Sequence, residues 1–177
     1  MEKNLLQNDM DDKDIMAVVV PYFCVTSTHC FDTDRFTSLI KIQPTSIWTQ
    51  KIPKLLNVKG VPQAKWTYRF RYTHTEWIEK ATDMILSLFY PLRGIIKPFI
   101  QQNRLRATVY LRLFATGEEN YPLMELTRKS IRHINELGAS FQIDIYPIDK
   151  IEPYEKLSRV SCKTTQKGRA YWELREM

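Results

Sequence analysis

The run Trp66-Thr67-Tyr68-Arg69-Phe70-Arg71-Tyr72-Thr73 alternates aromatic and polar residues without a break. Successive side chains of a β-strand point to opposite sides of the sheet. The period of two therefore predicts a strand with Trp66, Tyr68, Phe70 and Tyr72 packed on one face. Thr67, Arg69, Arg71 and Thr73 fall on the other face. A sheet built this way has a filled inner side and an outer side that carries cations. The outer side is a candidate binding surface, and the pattern says nothing of catalysis.

Two further segments repeat the alternation. Val109, Leu111 and Leu113 face one way in the strand expected over Ala107 to Phe114, against Thr108, Tyr110, Arg112 and Phe114. Phe141, Ile143 and Ile145 alternate with Gln142, Asp144 and Tyr146 in a last core strand. Residues 15–25 form the first strand, where the consecutive Val18, Val19 and Val20 indicate burial on both faces and a central position. Pro21 removes a ladder donor, so a bulge or the outer part of the strand is expected beside it.

Helical spacing appears between these strands. Asp32 is placed to cap a short helix that turns Phe36, Leu39 and Ile40 inward, and Pro44 ends that element. Residues 44–64 carry Pro44, Pro53, Gly60 and Pro62 with little periodicity and read as an irregular connection, long enough to hide a short element. Thr73 and Glu76 have capping-box spacing and predict a helix start. Trp77, Ala81, Met84, Ile85, Leu88 and Leu92 then form an apolar stripe, interrupted by Pro91 and Pro98. Residues 116–120 read as a turn. A helix over Thr127 to Leu137 turns Ile131, Ile134 and Leu137 inward and ends at Gly138.

Strands with helices on one side describe an α+β two-layer sandwich, its sheet mainly antiparallel or mixed with about four to five strands. The chain divides into an acidic, flexible N-terminus at 1–14, one α+β domain at 15–147 and a basic C-terminal extension at 148–177, in which Ala170 to Leu174 is apolar enough to dock as a strand or helix.

Composition narrows the functional classes. A chain of 177 residues with 44% hydrophobic residues supports one sizeable core. A formal charge of +6 favours anionic partners, such as nucleic acid, phosphates or an acidic protein surface. There is no charged-then-apolar leader and no apolar run of membrane length, so the expectation is a cytoplasmic protein with no membrane partner. The three cysteines, Cys24, Cys30 and Cys162, have no framework spacing and read as reduced thiols.

The candidate site is the outer sheet face. Arg69, Arg71, Tyr110, Arg112, Asp144 and Tyr146 share it, together with Gln142. Arginine forks bind anions and aromatic faces stack on bases or partner side chains. Against this, cross-strand pairs can satisfy one another, with Asp144 answering one or two arginines, or a partner chain can bury the whole face.

Other clusters carry less. Cys24, His29 and Cys30 offer soft ligands but no fourth for a closed zinc site, so no metal is assigned and no cofactor is expected. His74 with Glu76, and His133 with Glu136, have acid–base residue types without evidence of convergence. Nucleophile elbows and phosphate-cradling glycine loops are absent from a chain with 5 glycines. Residues 163–169 are basic enough to grip a phosphate backbone, but a solvated tail explains them better.

Several short pieces carry a resemblance: Phe31-Asp32, Ile40-Lys41-Ile42-Gln43-Pro44-Thr45, Trp66, the long helix near Glu76, and Leu137-Gly138-Ala139-Ser140 leading into Ile143-Asp144-Ile145-Tyr146. Over residues 17–147 the chain resembles a bacterial family known only as a domain of unknown function, number 4279. The family pattern has glycine where Lys41 stands, which questions the local turn. The resemblance implies no established activity. It implies a small cytoplasmic bacterial protein of the kind met around toxin, immunity or phage-defence systems.

The expected function is therefore a non-enzymatic binding protein that engages another, acidic protein, or a second copy of itself as a homodimer. Nucleic-acid binding through Arg69, Arg71, Arg112 and the basic tail is the first alternative. An enzyme of unknown reaction is the second.

Overall fold

The structure is a computed structural model that describes residues 17–49, 63–74, 77–115 and 121–147, and the backbone of residues 160–164 and 170–174. Its centre is a mixed sheet. The strands are β1 (Ala17–Ser27), β2 (Ser46–Thr49), β3 (Ala64–Arg69), β4 (Thr73–His74), β5 (Arg106–Ala115) and β6 (Ala139–Pro147). They lie in the order β2-β3-β1-β5-β6, and β4 continues the β3 position alongside β1. Only β5 and β6 run parallel; the other pairs are antiparallel. β1 is central, as its valine run requires, with Val18 and Val19 buried on opposite faces.

Four helices cover one face: α1 (Thr33–Ile40), α2 (Ile78–Phe89), α3 (Arg93–Gln102) and α4 (Arg128–Leu137). Their buried residues join Ala17, Val19, Phe23 and Val25 of β1 and Val109, Leu111 and Leu113 of β5 in one core. The expected α+β architecture with helices on one face is what forms. Rings dominate this core. Phe23 stacks on Phe89 at 4.1 Å, and Phe36 meets the edge of Trp66 at 5.2 Å. Such pairs are worth about 0.5–1.5 kcal/mol each beyond the area they bury. Trp66 is fully buried, and its indole Nε1–H donates to Thr37 Oγ1 at 3.0 Å, which spares the core an unpaired donor.

The alternation of residues 66–73 holds as far as Phe70 and then fails. Tyr22 pairs with Arg69, yet Val19 pairs with Thr73, so residues 70–72 oppose only Val20 and Pro21. This is a bulge of one extra residue. Pro21 explains its position. The Pro21 carbonyl accepts from Phe70 N–H, so the side of Pro21 that lacks a donor faces the strand that slips. Beyond the bulge the register is turned over: Thr73 now stands opposite core-facing Val19. Arg71 and Tyr72 lie between the two strands and are exposed. Arg71 therefore does not belong to the basic row with Arg69, contrary to the uninterrupted period of two.

Helix boundaries show the same override of local pattern by tertiary pairing. Asp32 caps α1 as expected, its carboxylate accepting from Arg35 N–H at 2.8 Å. Thr73 does not cap α2, and Glu76 lies outside the described residues. Thr73 is used in β4, and the helix starts at Ile78 after Trp77, which has no side-chain cap. Trp77 is 45% exposed, and the inward stripe is Ile78, Ala81, Ile85 and Phe89 with Thr82 and Leu86 beside it. Pro91 sits in a single 3-10 turn (Tyr90–Leu92) that joins α2 to α3, and Pro98 is accommodated inside α3. In α4, Ile131 is 55% exposed and Ser130 takes the buried place. Leu39 and Ile145 are also exposed rather than inward.

Three further short strands complete the described structure, and of the two forms allowed for Ala170 to Leu174 the strand is the one adopted. The irregular connection contains β2, an edge strand on β3. In the C-terminal extension, β7 (Val160–Thr164) and β8 (Ala170–Leu174) form an antiparallel hairpin with Cys162 opposite Trp172. The expected acidic N-terminus, the turn at 116–120 and the rest of the extension lie outside the described residues.

Candidate functional site

The face of the sheet opposite the helices is ordered in rows across the strands. One row runs Ser46, Thr67, Cys24, Thr108 and Ser140 from β2 to β6. Beside it on one side, Trp48, Lys65, Thr26 and Arg106 align. On the other side, Arg69, Tyr22, Tyr110 and Gln142 align, followed by Val20, Arg112 and Asp144. A last row holds Val18, Phe114 and Tyr146. The face thus grades from hydroxyls and cations at one end to an apolar end. Val18, Val20 and Phe114 are buried there, with Tyr22 and Tyr146 packed against them.

Arg112 occupies the junction. Its guanidinium carbon lies 5.4 Å from the ring centres of Tyr22 and Tyr146 and 5.9 Å from that of Tyr110. Three rings at these distances hold a cation by their π faces. Burial tends to lower the Arg112 pKa, but Tyr22, Tyr110 and Tyr146 outweigh it and raise the net value. Arg112 is a half-buried, positioned cation rather than a freely projecting contact.

Asp144 is held by neutral donors. Tyr110 Oη–H donates to Asp144 Oδ2 at 2.7 Å and Gln142 Nε2–H donates to Asp144 Oδ1 at 3.0 Å. Burial pushes the Tyr110 phenol well above the ordinary tyrosine range; Arg112 opposes the shift and the bond to Asp144 adds to it. The structure thus brings together Arg69, Tyr110, Arg112, Asp144 and Tyr146 on one face and leaves Arg71 off it.

Two adjoining recesses indent this face. One, of about 310 Å³, is lined by Tyr22, Lys65, Thr67, Arg69, Tyr110 and Arg112 together with Thr45, Ser46 and Trp48. The other, of about 380 Å³, includes Lys65, Arg106, Tyr110, Arg112 and Asp144. They share Lys65, Tyr110 and Arg112. Lys65 and Arg106 were not singled out from sequence, although each is flanked by core residues on a strand whose period places it outward. Trp48 was missed because β2 itself was missed.

The remaining candidates are dispersed. Cys24 lies buried in β1, where burial raises its thiol pKa against the opposing influence of Lys65, Thr67 and Arg112. Cys30 is exposed, and His29 Nε2 lies 3.2 Å from the Asn103 carbonyl. Among the described residues no group of three or more histidine, cysteine or acidic side chains converges in a way that could hold a metal ion. His133 stacks on Tyr90 at 3.7 Å, and Tyr90 Oη–H donates to Glu136 Oε2 at 2.6 Å. A separate recess on the helix side, of about 340 Å³, is lined by His133, Asp83, Ser87, Tyr90 and Lys129, but no hydrogen bond links His133 to Asp83. No helix among the described residues is long and apolar enough to cross a membrane.

A family model described as Domain of unknown function (DUF4279) matches residues 18–147. The chain belongs to this family. The match runs from the first core strand to the end of β6, so the DUF4279 domain coincides with the sandwich and includes every row of the face. No curated protein and no solved structure matches the chain.

Proposed function

We propose that this DUF4279 protein is a non-enzymatic binding protein that docks an acidic partner protein on the open face of its sheet. One observation carries the reading. The two adjoining recesses align Lys65, Arg69, Arg106 and Arg112 against a single carboxylate, Asp144, already bonded by Tyr110 and Gln142. Such a surface attracts negative charge, and its half-buried tyrosines supply the amphipathic contact area common at protein interfaces. Arg69 and Lys65 are the first contacts, and Tyr110 and Arg112 form the fixed floor.

Charge reversal tests this. The double variant Lys65→Glu, Arg69→Glu changes two residues at the rim of the recess and leaves the helix-covered core untouched. The wild-type chain should retain a partner from the native host in a salt-sensitive manner, and the double variant should lose it while keeping its circular dichroism spectrum. Equal recovery by both proteins removes this face from consideration. Retention of single-stranded RNA at low salt, with no protein partner captured, replaces the reading with nucleic-acid binding.

A further inference from the structure

The recess beside β2 differs from its neighbour in its charged lining. Its charged lining is Lys65, Arg69 and Arg112, and no carboxylate lines it; Asp144 lines only the adjoining recess. Neither Lys65 nor Arg69 forms an ion pair among the described residues. Ser46 and Thr67 stand side by side in the β2–β3 register at the same recess and bring hydroxyl groups. The half-exposed indole of Trp48, 46% accessible, forms an outer wall opposite Lys65.

We propose that this recess receives a phosphate monoester carried on a side chain of the docking partner, an assignment that rests on the face-docking reading above. The charge count favours phosphate over carboxylate. A single carboxylate would answer only one of Lys65 and Arg69, neither of which forms an ion pair among the described residues, whereas a phosphate monoester brings about −1.5 to −2 charges and three acceptor oxygens. Arg69 and Arg112 supply guanidinium forks and Lys65 a point charge, the combination that suits a tetrahedral anion. The position of Asp144 favours an isolated phosphate over a nucleic-acid backbone, because successive phosphates crossing the face would meet that carboxylate. The tyrosines around Arg112 hold its fork before the ligand arrives, which lowers the ordering cost of binding.

The test uses the full chain and a capped peptide, Ala-Ala-phosphoserine-Ala-Ala, alongside its unphosphorylated form and inorganic phosphate. Binding is followed at low salt through the side-chain Nε–H resonances of Arg69 and Arg112. The phosphopeptide should give saturable shifts and bind at least about tenfold tighter than the unphosphorylated peptide, a difference of about 1.4 kcal/mol. Arg69→Gln should weaken that binding by about tenfold or more, as expected for loss of a charge-assisted contact, without changing the melting temperature. Equal affinity for inorganic phosphate and phosphopeptide overturns the assignment to a partner side chain. Absence of saturable shifts with either probe overturns the phosphate site. No partner enters this titration, so its failure leaves the face-docking reading standing. Conversely, unchanged partner capture by the charge-reversal variant would sink that reading whatever the peptide does.

Discussion

Tyr110 reaches diagonally across the parallel β5–β6 pair to donate to Asp144 at 2.7 Å, although its direct register partner is Gln142. That single bond organises the middle of the face. It ties the edge strand to the central sheet and gives Asp144 a neutral partner. Tyr110 also stays in the ring set around Arg112. The sequence pattern places all these residues on one side, with the pairing of Asp144 to one or two arginines as the alternative to an open face. The observed donors are a phenol and an amide.

Tyr110→Phe should lower stability by about 1.5–3 kcal/mol, the range for a hydrogen bond to a charged acceptor, read as a shift in the denaturant midpoint without a change in slope. The phenol also carries a pH signature. Its folded pKa lies above the unfolded value, so its contribution is complete below the unfolded tyrosine value of about 10 and is lost as pH rises beyond it. Ultraviolet difference titration should show Tyr90 and Tyr110 ionising later than ordinary tyrosines, and the latest step should be missing in Tyr110→Phe while the Tyr90 step remains. A latest step that survives the substitution unchanged would assign the buried phenol to another ring.

Lys41 closes α1 in the left-handed region, with φ 57° and ψ 27°, and its N–H bonds the Thr37 carbonyl at 2.8 Å. The left-handed region favours glycine, so lysine bears a steric cost in this turn. Lys41→Gly should stabilise the fold by about 0.5–1 kcal/mol, since glycine enters this region without the Cβ clash. Gly138 is the reciprocal case. At φ 71° with the Lys97 side chain 3.3 Å from where a Cβ would sit, Gly138→Ala should destabilise by about 1 kcal/mol or more. Thermal melts of the two variants should move in opposite directions; movement in the same direction would refute the argument from backbone conformation.

Most of the sandwich was legible because its strands keep a strict period and its core residues are large. Val109, Leu111 and Leu113, the Asp32 cap and the Gly138 stop could all be read from adjacent residues. The features that could not be read depend on a second element. Thr73 looks like a helix cap in isolation, but β1 recruits it as a strand residue. The bulge that moves Arg71 off the face needs both Pro21 and the strand opposite it. Strand β2 is four residues long and exposed throughout, so it has no apolar pattern to find, and the wall that Trp48 adds to the recess was hidden with it. The face itself was foreseen through Arg69, Tyr110, Arg112, Asp144 and Tyr146. Their grouping around a tyrosine-bound guanidinium follows from register, which one strand cannot show.

The thiols make a separate test of burial. Cys24 lies 4% exposed on β1 with its pKa raised chiefly by burial, whereas Cys30 is on the surface. The thiolate is the reactive form, so Cys24 combines a small thiolate fraction with poor access. In a Cys162→Ser background, a thiol reagent at neutral pH should label Cys30 promptly and reach Cys24 only as fast as the chain opens. Denaturant should abolish the difference. Simultaneous labelling of both thiols in the native protein would mean that the first strand is not packed as described.

The packing of α2 on α4 depends on one carboxylate. Glu79 Oε1 accepts from Ser130 Oγ at 2.6 Å and from Thr127 Oγ1 at 2.8 Å, and Glu79 Oε2 accepts from the Thr127 N–H at 3.3 Å. Thr127 in turn caps α4 by accepting from Ser130 N–H at 3.2 Å. A negative charge at a helix N-terminus also meets the positive end of the helix dipole. Ser130 is 1% exposed, and removing its hydroxyl takes away one of the two donors to Glu79 Oε1 at a part-buried junction. Ser130→Ala should cost about 1–3 kcal/mol, and Thr127→Ala about 1 kcal/mol through the lost cap. Because both hydroxyls serve the same carboxylate, the loss in the double variant should differ from the sum of the single losses by about 0.5 kcal/mol or more. Strict additivity in denaturant melts would show that the three groups do not act as a unit.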